Sequence, residues 1–586
     1  MSLLFGFHGK VLRVDLTNRV AEEETISDEV FEKYLGGKGL AAHLLMNHLE
    51  PEVNPLSPDN KLVFATGPAA DTTVPAASRF GVYAKSPMTG MFGESYSGGH
   101  LAPVMKRTGY DAFMIEGASD EPVYLHISDE GVKFDDASDL WGQNTYETED
   151  ALREKAGVEN AQALVIGPAG ENQVGFACIK NNYWRSAGRT GMGAVMGSKK
   201  LKGIVFSGSQ STQLADEEKL QNYVKEMIDE YRDTERTQIM QELGTPYMVG
   251  VTNAAGAFPT RYWAQGSFEQ WEGISSDAMH RRMEVRPNAC HRCFMACGKM
   301  SRVIEGPYEG LELEGPEYET IYALGGLCCV EHIDEVAYLN DLCDRLGLDT
   351  ITGGNIAAFS IEAVKRGELD VDIDYGDTEA IASLFRKIAH KEGAGKILSQ
   401  GVKEAAEKLG LEEIAVHVKG LEPAGYDPRT LKGMTLGYAV SSRGACHLRS
   451  SFYMAELNDE ASEDLKEKTA EFFNFENRNT LEDSLILCRF YQKFIGWQGM
   501  KSIVEATTGM QLDIDELVEL GSRITTLVRR FNIREGLTEK DDKLPERLFN
   551  DAIGPENDRV ADKQELEIMK REYYNLHGWD EQGVPQ

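Results

Sequence analysis

Cys290, Cys293 and Cys297 form a C-x2-C-x3-C run inside Asn288-Ala289-Cys290-His291-Arg292-Cys293-Phe294-Met295-Ala296-Cys297-Gly298. Three thiolates on one short loop can fold inward onto a single metal centre, but a four-ligand site needs one more donor from elsewhere in the chain. Two centres meet that description: a structural zinc ion, or an iron-sulfur cluster completed by a distant cysteine. Small zinc knuckles bring paired C-x2-C units, whereas the later thiols here stand singly, among them Cys343, Cys446 and Cys488, so the spacing favours the cluster. The nine cysteines are an odd number, and Met1 to Lys10 has no basic n-region. Both features argue against a disulfide framework and for thiols that are buried, redox-active or bound to metal.

A second signal is Asp344-Arg345-Leu346-Gly347-Leu348-Asp349, placed where a helix running from Glu335 should stop at Gly347. An Asp in the last helical turn opposes the helix dipole, so Asp344 is locally unfavourable and suits a residue kept for a ligand. Asp349 could equally cap a helix starting at Thr350. A related phrase recurs at Asp483-Ser484-Leu485-Ile486-Leu487-Cys488, with cysteine now in the sixth position. A third signal is the glycine-rich stretch from Arg185-Ser186-Ala187-Gly188-Arg189 to Gly197, where backbone N–H groups can approach an anion and two arginines add charge. Its spacing matches neither a Walker A loop nor G-x-G-x-x-G.

These residues need a large scaffold, and 586 residues at roughly 150 per domain give three or four domains. With 41% apolar and 27% charged residues, disordered, collagen-like and membrane classes fit poorly. The 95 acidic residues against 61 basic ones leave a net charge of -34, which repels phosphate backbones and anionic lipid, so no nucleic-acid partner is expected. The longest uncharged run, 243–260, approaches a bilayer span in length but is broken by Pro246, Gly250, Asn253, Gly256 and Pro259, so no membrane span is expected and the location reads as cytoplasmic.

Period-two runs predict strands over 11–16, 61–65, 79–84, 112–116, 123–128, 163–166, 176–179 and 201–206. Beyond the small, polar stretch 207–212 the spacing turns helical, predicting helices over 215–236, 335–346, 356–366, 379–390, 397–409, 464–473, 481–493 and 514–531. No internal repeat is visible. The fold class is therefore α+β: a β-rich N-terminal domain, 1–208, followed by two mainly α-helical domains, 209–420 and 421–586.

The chain also carries Gly36-Gly37-Lys38-Gly39-Leu40, Gly67-Pro68, Ser86-Pro87-Met88-Thr89-Gly90, Ser97-Gly98-Gly99, Gly167-Pro168-Ala169-Gly170-Glu171-Asn172, Gly315-Pro316-Glu317-Tyr318-Glu319, Tyr426-Asp427-Pro428-Arg429 and Arg443-Gly444-Ala445-Cys446-His447. With the cysteine spacing, these motifs resemble the tungsten-containing aldehyde:ferredoxin oxidoreductases over essentially the whole length. The resemblance implies a tungsten held by the dithiolenes of two molybdopterins, with no protein ligand to the metal, cradled by the N-terminal domain. It also implies a 4Fe-4S cluster on Cys290, Cys293, Cys297 and Cys488. The two Asp phrases would bind the pterins through Asp344, Gly347, Leu348 and Asp349 on one side and Asp483, Leu487 and Cys488 on the other. A magnesium ion bridging the pterin phosphates would take the backbone carbonyls of Tyr96 and Ser186, beside Arg79, Arg185 and the glycine-containing runs Ser97-Gly98-Gly99 and Ala187-Gly188. Where some relatives hold an interface metal with E-x-x-H, this chain has Tyr338-Leu339-Asn340-Asp341, so that metal, and a homodimer or hetero-oligomer built on it, is not implied.

Oxidising an aldehyde to an acid needs an acceptor for a water proton and a donor to the carbonyl oxygen. By resemblance Glu319 is the base and His447 the donor. The alternatives are the tungsten subunit of a benzoyl-CoA reductase, or a non-catalytic iron-sulfur electron carrier. Electrons leaving through the cluster suit ferredoxin or a partner iron-sulfur subunit. Because ferredoxins are generally acidic, docking calls for a local basic patch, for which Lys199, Lys200 and Lys202 are candidates.

Overall fold

The computed structural model describes residues 4–556 and 558–586. The fold is α+β. One six-stranded sheet runs Val20–Thr25, Lys10–Asp15, Ala112–Glu116, Leu62–Ala65, Phe80–Lys85, Phe92–Ser97, and a second runs Arg185–Ala187, Ile179–Asn181, Gln162–Val165, Leu201–Ser207, Val123–Ser128, Gly131–Asp136. Strand periodicity explains their stacking. Leu12, Val14, Phe64, Val82 and Phe113 point from the first sheet into an apolar layer shared with Leu125, Ile127, Leu164, Ile204 and Phe206 of the second. The alternate residues of the first sheet, Val11, Val63, Ala65, Tyr83 and Met114, meet the helix Gly37–His48 and Phe531, while those of the second, Tyr124, Ala163, Val165 and Val205, meet Leu152 of the helix Thr145–Ala156. Both faces of each sheet are thus covered, which is why these strands read as nearly continuous apolar runs.

Each sheet leaves one edge strand, Phe92–Ser97 and Arg185–Ala187, facing the other across the same side of the molecule. Above these edges stands the helical body. A three-stranded antiparallel sheet, Met283–Asn288, Gly298–Val303 and Glu312–Glu314, carries the cysteine run in the loop 289–297 between its first two strands. Among the described residues no helix is long and apolar enough to cross a membrane.

Several elements differ from the sequence expectation. The strand expected at 176–179 begins only at Ile179, because the Phe176 carbonyl accepts the Asp349 N–H and Ala177 bridges to Leu348. The helix 215–236 is two helices, Glu217–Tyr231 and Glu235–Glu242, separated by extended Thr234. The helix 397–409 breaks at Gly401, which has φ 89°, and the helix 356–366 begins earlier, at Thr350. Residues 464–473 belong to one long helix, Leu465–Leu485; the expected helix 481–493 does not exist, since Ile486 turns left-handed at φ 64° and the chain runs through Cys488 before the helix Gln492–Thr508. The polar stretch 474–480 conceals that continuity. Asn477, Asn479 and Thr480 are buried, with Thr480 in hydroxyl contact with Thr525 at 3.2 Å on the helix Ile514–Arg534, so packing overrides weak helix propensity.

Candidate active site

The two Asp phrases, related in sequence, occupy matching positions in the fold. Each ends a helix: Ile333–Leu346 stops at Gly347 (φ 76°) and Leu465–Leu485 at Ile486. In both, the fifth residue folds back, Leu348 N–H donating to the Cys343 carbonyl at 2.8 Å and Leu487 N–H to Glu482 at 2.7 Å. In both, the sixth residue is pinned to the β-rich floor, Asp349 N–H to the Phe176 carbonyl at 3.1 Å and Cys488 N–H to Ala76 at 3.0 Å. The fit leaves no room for side chains beneath the helix ends: a Cβ on Gly167 would lie 2.6 Å from the Leu346 carbonyl oxygen, and one on Gly67 2.6 Å from that of Leu485. Glycine suits the left-handed turn of the first phrase, whereas a buried Ile in that conformation is strained by roughly 1–2 kcal/mol and is retained for its packing in the core.

Between floor and helical body lies a cavity of about 420 Å³. Its wall includes Arg79, Tyr96, Ser97, Gly98, Arg185, Ser186, Gly188, Asp344, Leu348 and Asp349, the four thiols Cys290, Cys293, Cys297 and Cys488, and Glu319 and His447. Gly99, Ala187, Gly347, Asp483 and Leu487 stand behind that wall. Tyr96 and Ser186 come from the two facing sheet edges, where carbonyls lie free of full ladder pairing.

The thiols gather on one side. Cys290 Sγ accepts the Gly99 N–H at 3.3 Å, Arg79 Nη2 donates to Cys488 Sγ at 3.5 Å, and the Tyr491 hydroxyl lies 3.3 Å from Cys293 Sγ while accepting the N–H groups of Phe294 and Met295. A Cβ on Gly98 would stand 3.1 Å from Cys290 Sγ, a tight contact that the glycine avoids. All nine cysteines are free of disulfides. Among the described residues no three His, Cys, Asp or Glu groups converge tightly enough for a single metal ion.

Asp344 answers the dipole argument with a partner: it accepts hydrogen bonds from Lys180, fully buried, and from Asn340 Nδ2 at 2.9 Å. Burial nevertheless pushes its carboxyl up to about 6. Asp349 takes the capping role, receiving the N–H groups of Ile351 and Thr352 at 3.2 and 3.3 Å, and also faces Arg189 Nε at 3.0 Å. Asp483 is held by Arg449 at 2.6 Å and Arg489 at 2.7 Å, and Arg449 in turn meets Glu94 at 2.8 Å. Lys180, Arg449 and Glu94 escaped the sequence reading because each acquires its role from partners distant in the chain. Removing one member of such a buried pair strands the other. Lys180→Met should therefore cost about 3 kcal/mol, read as a lower apparent Tm, and the loss should shrink as pH falls toward 6, because without Lys180 the Asp344 carboxyl takes up its proton at higher pH. An equal loss at pH 5 and pH 8 would show that Asp344 stays charged without Lys180.

Glu319 sits in the short helical turn Tyr318–Thr320, which continues as a π-helical stretch, Ile321–Gly326, of a kind often found at functional sites. Its Oε2 accepts the Gly425 N–H at 3.0 Å; its Oε1 is buried with no hydrogen-bond partner, although His447 Nε2 lies 3.3 Å away. The pair is close enough for a salt bridge, yet burial holds both groups neutral near pH 7, pushing Glu319 up to about 8 and His447 well below its ordinary value, the latter helped by Arg443, Arg189 and Arg449. Tyr426 stacks on Tyr453 at 3.8 Å and lies 5.4 Å from the His447 ring. Beside them Cys446, buried but drawn to about 7 by Arg443 and Arg449, receives Arg443 Nη2 at 2.9 Å.

The basic patch expected at Lys199, Lys200 and Lys202 is absent. Lys199 is buried, donating to the Pro58, Asn60 and Gly117 carbonyls at 3.1, 2.6 and 3.0 Å, and Lys202 is buried against Glu171, leaving Lys200 alone at the surface. Short basic runs read as surface by default; here two of three lysines are taken up by carbonyls and a carboxylate inside the fold.

Thiols that no disulfide claims, set among buried arginines beside an acid–imidazole pair, suit an oxidoreductase working on a large anionic cofactor. The chain belongs to the aldehyde ferredoxin oxidoreductase family: the family model of the N-terminal domain matches residues 11–208, and that of domains 2 and 3 matches residues 222–586. A tungsten-containing aldehyde ferredoxin oxidoreductase of Pyrococcus abyssi is 37% identical, the alignment covering 100% of this chain and 98% of the relative. The enzyme of the same description from Pyrococcus furiosus is 36% identical over 99% and 97%. The active-site complex BamBC of benzoyl coenzyme A reductase, solved with 1,5-dienoyl-CoA, aligns with a TM-score of 0.86 and 25% identity, covering 100% of this chain and 96% of that chain.

Proposed function

We propose that the protein oxidises aldehydes to carboxylic acids on a tungsten bis-molybdopterin, delivering electrons through a 4Fe-4S cluster on Cys290, Cys293, Cys297 and Cys488 to ferredoxin or a partner iron-sulfur subunit in the cytoplasm. The observation that carries this reading is the unpartnered, buried Glu319 Oε1 beside neutral His447 on the cavity wall. The residues present also fit the cofactor. Arg79 and Arg185 flank the facing sheet edges where Tyr96 and Ser186 carbonyls would hold a magnesium ion between pterin phosphates, with Ser97 to Gly99 and Ala187-Gly188 allowing close backbone approach. Asp344, Gly347, Leu348 and Asp349 would bind one pterin and Asp483, Leu487 and Cys488 the other. Residues 1–208 would form the floor, with 209–420 and 421–586 as the two helical domains.

When bound, tungsten would accept the electron pair and the cluster would pass it on singly. The chain's own residues manage the protons. Ionised Glu319, fixed through Oε2 by the Gly425 N–H, presents Oε1 to take a proton from water as its oxygen adds to the carbonyl carbon. His447, neutral, keeps an N–H to donate to the carbonyl oxygen. Aldehyde plus water gives acid, two electrons and two protons.

Metal analysis with an aldehyde-dependent benzyl viologen assay tests the reading. Tungsten, iron and aldehyde-dependent dye reduction are expected together. Tungsten without that activity would favour the benzoyl coenzyme A reductase-like alternative, to which the likeness to its active-site complex lends support; iron alone would favour an electron carrier.

A further inference from the structure

Six arginines line the cavity, and five have an assigned partner: Arg79 meets Cys488, Arg185 Glu314, Arg189 Asp349, Arg443 Cys446 and Arg489 Glu482. The sixth, Arg236, near the start of the helix Glu235–Glu242, makes no hydrogen bond or ion pair among the described residues, and its Nε is buried without a partner. In a chain with 95 acidic residues against 61 basic ones, an acidic neighbour is the commonest partner available, so a cavity guanidinium left without one is informative. Its surroundings are aromatic and apolar. Tyr247 and Tyr453 of the cavity wall are near enough to feel its charge, and the guanidinium lies 5.9 Å from the Phe494 ring.

The location is equally specific. Tyr453 stacks on Tyr426 at 3.8 Å and lies 5.8 Å from the His447 ring, and its hydroxyl feels the charges of both Glu319 and Arg236. The acid–imidazole pair, the Tyr426–Tyr453 stack and this lone cation thus line one cavity. A guanidinium offers a planar fork of donors matched to a carboxylate, and a wall of tyrosine and phenylalanine rings suits a flat or extended carbon body between the two ends.

We propose that Arg236 binds a carboxylate at the far end of the substrate, so that the enzyme prefers aldehydes carrying a second, anionic terminus, such as carboxy-substituted aromatic aldehydes and the semialdehydes of dicarboxylic acids. This rests on the aldehyde-oxidising reading and names its substrate class. Against the chain's overall negative charge such a substrate gains nothing from long-range steering, so its selection depends on this local contact.

The test compares 4-carboxybenzaldehyde with benzaldehyde in the tungsten-loaded enzyme and in Arg236→Met and Arg236→Lys variants. Arg236→Met should lower kcat/KM for the carboxylated aldehyde by about 10–100-fold, the range expected for charge-assisted hydrogen bonds, and leave benzaldehyde within about twofold. Arg236→Lys, which keeps charge but loses the fork, should fall between. Terephthalate, which carries the distal carboxylate, should bind the wild-type protein in equilibrium dialysis and bind Arg236→Met much more weakly, with benzoate as the control. An unchanged ratio between the two aldehydes together with equal terephthalate binding in both proteins would overturn the proposal, as would equal losses for both aldehydes, which would make Arg236 a general or structural element. If no aldehyde is oxidised, the aldehyde reading fails, and terephthalate binding still decides whether Arg236 is a carboxylate site.

Discussion

Glu319→Gln is expected to cut aldehyde turnover by about 10²–10⁴-fold while tungsten and iron contents persist. Glutamine keeps the side-chain volume and can still accept the Gly425 N–H, but it cannot take a proton from water. The pH profile supplies an independent check. Burial raises the Glu319 carboxyl to about 8, so its neutral form dominates at pH 7 and the base form is lost as pH falls through 8. Wild-type kcat should therefore rise with pH along an acidic limb centred near 8, and at pH 6 about one hundredth of the sites would hold an ionised base. The linked stability effect has the opposite sense. A carboxyl whose folded pKa is raised stabilises the fold fully below the ordinary Glu range and loses that contribution as pH climbs through 8. Near-normal rates for Glu319→Gln, or a limb unchanged in that variant, would remove Glu319 as the base.

Cys488→Ala should abolish electron delivery, with loss or reshaping of the reduced-cluster EPR signal and a fall in bound iron. The alternatives among the single thiols are separated by the fold. Cys343 is fully buried in the helix Ile333–Leu346 and Cys446 sits beside His447, whereas Cys488 receives Arg79 on the same side as Cys290. Cys343→Ala should leave iron content unchanged. An unaltered cluster in Cys488→Ala would eliminate it as the fourth ligand and return attention to the loop 289–297.

Much of the floor was legible because its strands bury both faces and so read as short apolar runs: 112–116 and 123–128 fall where those runs place them. Gly347 announced a helix end for a stereochemical reason that any sequence displays. Ile486 did not, since nothing in isoleucine favours φ 64°; only the packed floor beneath it ends the helix there. The correspondence of Gly67 with Gly167, and of Ala76 with Phe176, is one of docking geometry that the shared Gly-Pro-Ala of 67–69 and 167–169 does carry in the sequence. The edge strand Arg185–Ala187 was hidden inside a glycine-rich stretch whose backbone, more than its side chains, pairs with Ile179–Asn181. At the site, the motif resemblance named Glu319, His447 and the four thiols, but Lys180, Arg236 and Arg449 lie outside its phrases or act through distant partners. The reading of Lys199 and Lys202 failed for the converse reason, because charge in a sequence carries no mark of which carbonyls will surround it.

The cysteine hairpin and the start of the helix Gln492–Thr508 have a topological consequence. A cluster ligated by Cys297 and Cys488 would close a ring of roughly 190 residues, and by the loop-entropy rule for cross-links that would remove freedom from the denatured chain worth on the order of 5 kcal/mol. The ring includes the helices that carry both Asp phrases. Seen as polymer physics, the electron relay is also a clasp: oxidative destruction of the cluster would open the ring and return that entropy to the unfolded ensemble. Loss of the redox centre and loss of resistance to proteolysis would then be one event.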